Sequence, residues 1–79
     1  MRLDKYLKVS RLIKRRTIAN EACDAGRVLI NGKVAKASAD VKVGDVIEIN
    51  FGNKAVKAEV TKILETTRKD EAAELFRYL

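Results

Sequence analysis

The dipeptide Asn31-Gly32 constrains this chain more than any other feature. It stands between the apolar run Val28-Leu29-Ile30 and a second short segment, Lys33-Val34-Ala35. Asn-Gly is the strongest two-residue hairpin signal, because both central positions of that turn take positive φ. The chain is therefore expected to fold back on itself at residue 31, and the hydrophobic period changes on the two sides of Gly26. Upstream, Leu3, Tyr6 and Leu7 recur at helical spacing, which predicts a first helix from near Leu3 running about two turns. Arg2, Lys5, Lys8, Arg11 and Lys14 recur every third residue. In one straight helix that step drifts by about 60° each time and would smear the charges around the cylinder. A break near Val9-Ser10-Arg11 removes the conflict. A second helix is expected from near Thr17, with the Thr17 hydroxyl as its cap. Ile18, Ala22 and Ala25 would form its inner stripe, with Ala19 and Cys23 beside it. Gly26 is placed to end it in the left-handed conformation.

Downstream, Lys42-Val43-Gly44-Asp45 reads as a turn before a strand, Val46-Ile47-Glu48-Ile49-Asn50-Phe51. A tight turn at Gly52-Asn53 leads into Ala55–Val60. There Val56, Ala58 and Val60 alternate with Lys57 and Glu59, the pattern of a half-buried strand. A last helix is expected to open at Thr66 or Thr67, with Ala72, Leu75, Phe76 and Leu79 on one face. Its acidic residues Asp70, Glu71 and Glu74 lie early and Arg77 lies late, which suits the helix dipole. The expected fold is α+β, with two N-terminal helices packed on a small, mostly antiparallel sheet and a C-terminal helix. The organisation is read as residues 1–65 forming the main domain and 66–79 a helix packing on it.

Absences limit the chemistry. The 79 residues hold no histidine and one cysteine. No Ser-His or Cys-His pair exists, and no zinc site can be assembled. The glycines are isolated at Gly26, Gly32, Gly44 and Gly52, so no phosphate-cradling glycine loop appears. An enzyme is not expected, and no cofactor or metal is called for. Cys23, among Ala19, Ala22 and Ala25, reads as a small buried thiol. A single cysteine permits no internal disulfide. No apolar run approaches the ~20 residues of a membrane span, and the N-terminus lacks a secretory pattern. The expectation is a monomeric cytoplasmic protein without membrane contact.

The charge is unevenly placed. Residues 1–36 carry ten Lys/Arg against three Asp/Glu, a net of +7, and residues 37–79 carry a net of −1, which together make the +6 of the chain. A charge run is most often a solvated face, but this lopsidedness is the footprint of a polyanion-binding surface. Arg2, Lys5, Lys8, Arg11, Lys14, Arg15 and Arg16 are the candidate contacts, with Thr17 as a hydroxyl donor and Lys33 and Lys36 flanking from the first hairpin. Guanidinium forks and the first N–H groups of the second helix would hold phosphates. Four aromatics are too few for a base-stacking platform. Tyr6 is read as core in preference to a stacking ring, and Asp4 as favouring a helix N-terminus. Arg27 is balanced between solvation and binding, and the Leu12-Ile13 pair between burial and a protein contact.

Four segments carry a resemblance. They are Arg2-Leu3-Asp4-Lys5-Tyr6-Leu7, Lys14-Arg15-Arg16-Thr17-Ile18-Ala19, Gly26-Arg27-Val28-Leu29-Ile30-Asn31-Gly32-Lys33 and Val43-Gly44-Asp45-Val46-Ile47. In this order and spacing they resemble the S4-type RNA-binding domain, with its alpha-L motif, over about residues 1–50. The whole chain resembles the stand-alone RqcP family of bacteria and is similar to the small S4-domain heat-shock proteins. The resemblance implies an RNA-binding factor of ribosome-associated quality control. Such a factor would bind rRNA and peptidyl-tRNA on stalled large ribosomal subunits and assist an RqcH-type factor that adds alanine tails. It also implies that Arg2 and Arg16 make the main RNA contacts, with Lys14, Arg15 and Thr17 in the same motif. Many S4-type domains have Ser where this chain has Thr17, and a single basic residue where it has Arg15-Arg16. A heat-shock-type factor that rescues blocked large subunits is the nearest alternative. A structural ribosomal protein and a helix-turn-helix DNA-binding module are further ones. The second helix is poor in the Arg, Lys, Asn and Gln side chains that read base edges.

Overall fold

Leu3–Val9 and Arg16–Asp24 form two helices, α1 and α2. A computed structural model describes every residue except Thr66, Thr67 and Lys69. The strands are β1 (Val28–Ile30), β2 (Lys33–Val34), β3 (Val46–Phe51), β4 (Lys54–Val60) and β5 (Phe76–Tyr78). They make one sheet in the order β2-β1-β3-β4-β5, and every neighbouring pair is antiparallel. The two helices pack together on one face of this sheet, in agreement with the α+β expectation.

The first hairpin forms as its sequence dictates. Asn31 has φ 52° and Gly32 φ 83°, the left-handed pair that Asn-Gly supplies at least strain. Asn31 also clamps the next turn. Its Nδ2 donates to Asp45 Oδ1 at 3.1 Å, and its Oδ1 accepts from Val46 N–H at 2.9 Å. The hairpin is thereby fixed to the start of β3. In β3, Ile47 and Ile49 are buried and their neighbours are not, the period-two pattern of a sheet covered on one side. Directly opposite them, β4 places Ala58 against Ile47 and Val56 against Ile49. The core gathers Ile47 and Ile49 with Val28, Val41 and Val60 under Leu3, Tyr6 and Leu7 of α1.

Three expectations are corrected. First, α2 begins one residue early, with Arg15 at the cap position and no side-chain cap bond. Thr17 is its second residue, so its hydroxyl does not cap the helix. Second, the inner stripe of α2 is Ala19 and Cys23, whereas Ile18 is 49% exposed and Ala25 is exposed. Small side chains let α1 and α2 approach closely, so the alanine–cysteine line is buried and the larger isoleucine is displaced to the rim. Third, the C-terminal helix is replaced by a single 3₁₀ turn, Ala72–Glu74, followed by β5. Its expected start at Thr66 or Thr67 lies outside the described residues. The apolar residues assigned to a helix face divide between the two elements. Ala72 and Leu75 are buried in and beside the turn, while Phe76 pairs with Val60 across the new edge of the sheet. Leu79 is 62% exposed.

Gly26 ends α2 with φ 74°, as expected. Ile13 is buried, and Leu12 is half-buried against the core. The connection between the helices turns at Arg11, which adopts φ 62°. Among the described residues, no helix is long and apolar enough to cross a membrane.

Candidate nucleic-acid interface

Arg2 is anchored by the backbone on both sides of it. It forms an isolated bridge with Asp40, while Leu3 N–H donates to Ala39 and Asp4 N–H to Ala37. The segment 37–41 thus runs along the start of α1 and fixes the point from which Arg2 emerges. Arg16 opens α2, and the packing of the two helices brings it to the same place.

Between them lies Asp4, only 2% exposed. Its carboxylate accepts from Arg2 Nε at 3.2 Å and Arg2 Nη2 at 3.4 Å. Arg16 approaches from the other side, with Nε at 3.4 Å and Nη2 at 3.5 Å. Asn20 Nδ2, one turn along α2 from Arg16, donates at 3.3 Å, and Lys5 N–H donates at 2.8 Å. Burial is the largest single influence on the Asp4 carboxyl and opposes its ionisation. The bonds from Asn20, Arg2, Arg16 and the Lys5 backbone together outweigh burial and hold its pKa below the ordinary 3.8. Both arginine side chains stay about half exposed, at 52% and 48%. Two guanidinium groups are therefore tied at their base to one buried anion and open to solvent beyond it.

Two shallow grooves meet here and share Asn20. One is lined by Asp4, Arg16, Thr17, Asn20 and Glu21. The other includes Arg2, Asn20, Lys36 and Ser38. Of the residues picked from the sequence, Arg2, Arg16, Thr17 and Lys36 thus come together. Lys8 on the last turn of α1 is exposed, as are Arg11, Lys14 and Arg15 on the connection to α2. Lys5 turns toward the C-terminal segment and pairs with Glu65. Lys33 is exposed on β2, at the outer edge of the sheet.

Asp4 and Asn20 belong to the site and were not selected from sequence as part of it. By sequence alone, Asp4 is an electrostatic partner of a helix end. Its flanking cations, Arg2 two residues before and Arg16 twelve after, were the available signal. Tyr6 is fully buried and donates its hydroxyl to the Leu75 carbonyl at 2.6 Å, so it is not presented to a base. Burial raises its pKa. Cys23 is buried along the second groove. Burial first, and then the charges of Asp4 and Asp24, push its thiol up to about 11, so it stays protonated and unreactive.

Comparison with known proteins places the chain in a family. The S4 domain family matches residues 1–47, which include Arg2, Asp4, Arg16, Asn20 and Lys36. The RQC P-site tRNA stabilizing factor of Halalkalibacterium halodurans is 59% identical over 76 residues, covering 96% of this chain and 86% of that protein. The protein of the same name from Bacillus subtilis is 57% identical over 79 residues, covering 100% of this chain and 92% of that one. Among solved structures, Heat Shock Protein 15 of Vibrio cholerae superposes with a TM-score of 0.92 at 34% identity, covering 100% of this chain and 81% of that one. The chain is an S4-domain protein, and over its whole length it belongs to the family of RQC P-site tRNA stabilizing factors.

Proposed function

We propose that this protein binds tRNA in the P site of large ribosomal subunits during ribosome-associated quality control, and that it acts by binding alone, without catalysis. The observation that carries the reading is the convergence of Arg2 and Arg16 on one buried carboxylate, with both groups open to solvent. Such a pair suits phosphate oxygens, which planar guanidinium groups engage by two parallel bonds. Thr17 and Lys36 border the same grooves and add a hydroxyl and an ammonium. The name shared by the relatives identifies the nucleic acid as P-site tRNA.

The finer assignments rest on the family resemblance. Arg2 and Arg16 are the main RNA contacts. Lys8, Arg11, Lys14 and Arg15 extend the cationic surface toward rRNA, and Lys5 and Lys33 lie at its margins. The protein acts as a monomer and holds peptidyl-tRNA in place while an RqcH-type factor extends the blocked chain with alanine. A heat-shock-type role is the second reading, supported by the close structural match. It is ranked lower because the Heat shock protein 15 homolog of Haemophilus influenzae is 32% identical over 95% of this chain and 57% of that protein. A helix-turn-helix role is disfavoured because the exposed positions of α2 after Arg16 are Thr17, Ile18, Glu21 and Asp24, with no Arg, Lys, Asn or Gln among them to read base edges.

The test is to recover the tagged protein from cells and identify the bound RNA and nascent chains. Large subunits with peptidyl-tRNA, at substoichiometric levels relative to intact ribosomes, are expected. Equimolar recovery with all ribosomes would identify a structural ribosomal protein instead. Affinity for large subunits should also fall with salt, with a log–log slope of about −3 to −5 for roughly four to six neutralised phosphates. A flat response would refute phosphate-led binding.

A further inference from the structure

We infer that Asp4, braced by Asn20, is a positioning residue that turns the phosphate-binding edges of Arg2 and Arg16 outward at a fixed separation. The inference deepens the reading above and depends on it. Its basis is the edge by which each arginine meets the carboxylate. Both turn the same two nitrogens, Nε and Nη2, toward it: Arg2 donates from both, and Arg16 donates from Nη2 with its Nε at ion-pair distance. A guanidinium carries five N–H groups: one on Nε, two on Nη1 and two on Nη2. Engagement through Nε and Nη2 leaves the Nη1 groups and the second Nη2 hydrogen outside the carboxylate contact. That remaining edge is itself a two-pronged fork, matched to a phosphate. Asp4 therefore occupies one side of each arginine and frees the other for RNA.

The carboxylate is held firmly enough to serve this purpose. The N–H of Lys5 fixes Oδ1 and Asn20 fixes Oδ2, from α1 and α2 respectively. Asp4 is buried, so it does not swing out to compete with a ligand. Its negative charge lies close to the bound phosphates, where charge alone would weaken binding. This makes the inference testable by sign. If only net charge mattered, Asp4→Asn would make the protein one unit more positive and tighten RNA binding. If positioning matters, the two long side chains lose their common anchor and must be ordered when RNA binds. Affinity should then fall by about ten-fold, from the ordering cost of two such side chains.

The experiment titrates purified large ribosomal subunits carrying P-site peptidyl-tRNA with wild type, Asp4→Asn, Arg16→Lys, Arg2→Lys and the Asp4→Asn/Arg16→Lys double variant. Thermal unfolding is followed in parallel. The expected result is that folded Asp4→Asn binds about ten-fold more weakly. Each lysine variant should lose affinity despite keeping its charge, since an ammonium lacks two separate edges. The double variant should lose much less than the product of the two single losses, because both disrupt one arrangement. Binding by Asp4→Asn equal to or tighter than wild type overturns the inference, as does strict additivity. If Asp4→Asn fails to fold, the lysine variants decide. Wild-type affinity for both would overturn the inference. Loss of binding by Arg2→Ala and Arg16→Ala, alongside unchanged binding by Asp4→Asn, would refute the positioning role while leaving the proposed function intact. Unchanged binding by those two alanine variants would refute the arginine site itself.

Discussion

Replacing Tyr6 with phenylalanine separates core from contact at the one aromatic of α1. Tyr6 is fully buried, and its hydroxyl donates to the Leu75 carbonyl at 2.6 Å, joining α1 to the C-terminal segment 69 residues away. Tyr6→Phe keeps the ring and removes this bond. Leaving a buried acceptor without a partner can cost up to about 3 kcal/mol. Here the carbonyl also accepts from Thr61 N–H at 2.9 Å and Lys62 N–H at 3.2 Å, so it is not orphaned. The cost should therefore be the net value of one hydrogen bond, about 1 kcal/mol. For a domain of this size that lowers Tm by about 4–8 °C. The assay is thermal unfolding followed by far-ultraviolet circular dichroism, with affinity for large subunits measured beside it at a temperature where both proteins are folded. Unchanged affinity is expected. An unchanged Tm with weakened RNA binding would refute the reasoning, because it would mean that the hydroxyl serves the ligand.

Gly32→Ala places a Cβ in open space but in a backbone with φ 83°. It should destabilise the domain by about 1–2 kcal/mol through the left-handed penalty alone, and urea unfolding with no loss of stability would show that the turn can relax. Acid unfolding should carry a contribution from Asp4. Its folded pKa lies below the ordinary 3.8, so the stability it adds is complete above that value and is lost as pH falls through the folded one. Exposed Asp40 and Glu65 are shifted in the same direction by the N-terminal ammonium and Lys5 respectively. A series of Tm values from pH 7 to pH 2 should show a shallower acid limb for Asp4→Asn than for wild type, and superimposable limbs would contradict the assigned ionisation.

The hairpin, β3, β4 and both helices were legible because each has a strong local signal. Asn31-Gly32 demands its turn, Ile47 and Ile49 alternate with Glu48 and Asn50, and Gly26 stops α2. The face of α2 was less legible. With Ala19, Ala22, Cys23 and Ala25 available, small residues surround much of the helix, and the most hydrophobic side chain, Ile18, drew the stripe toward itself. The end of the chain misled for a related reason. Ala72, Leu75 and Phe76 suit helical spacing, but Phe76 and Tyr78 also satisfy the alternation of a strand, and the free edge of β4 supplied hydrogen-bond partners that no local pattern reveals.

In the site, the cations were conspicuous, whereas the group that organises them was not. Asp4 and Asn20 are 16 residues apart, and short polar side chains ordinarily mark caps and turns. Their convergence is a product of helix packing. The charge excess of residues 1–36 likewise suggested one continuous surface, yet Lys5 faces Glu65 and Lys33 stands on the edge strand β2.

The central claim is that a pair of arginines at the junction of α1 and α2 grips the RNA. Co-sedimentation of Arg2→Ala and Arg16→Ala with peptidyl-tRNA-bearing large subunits tests it most directly. Both variants should remain folded, since each arginine is about half exposed, and both should pellet far less than wild type. Wild-type pelleting by both folded variants would contradict the account.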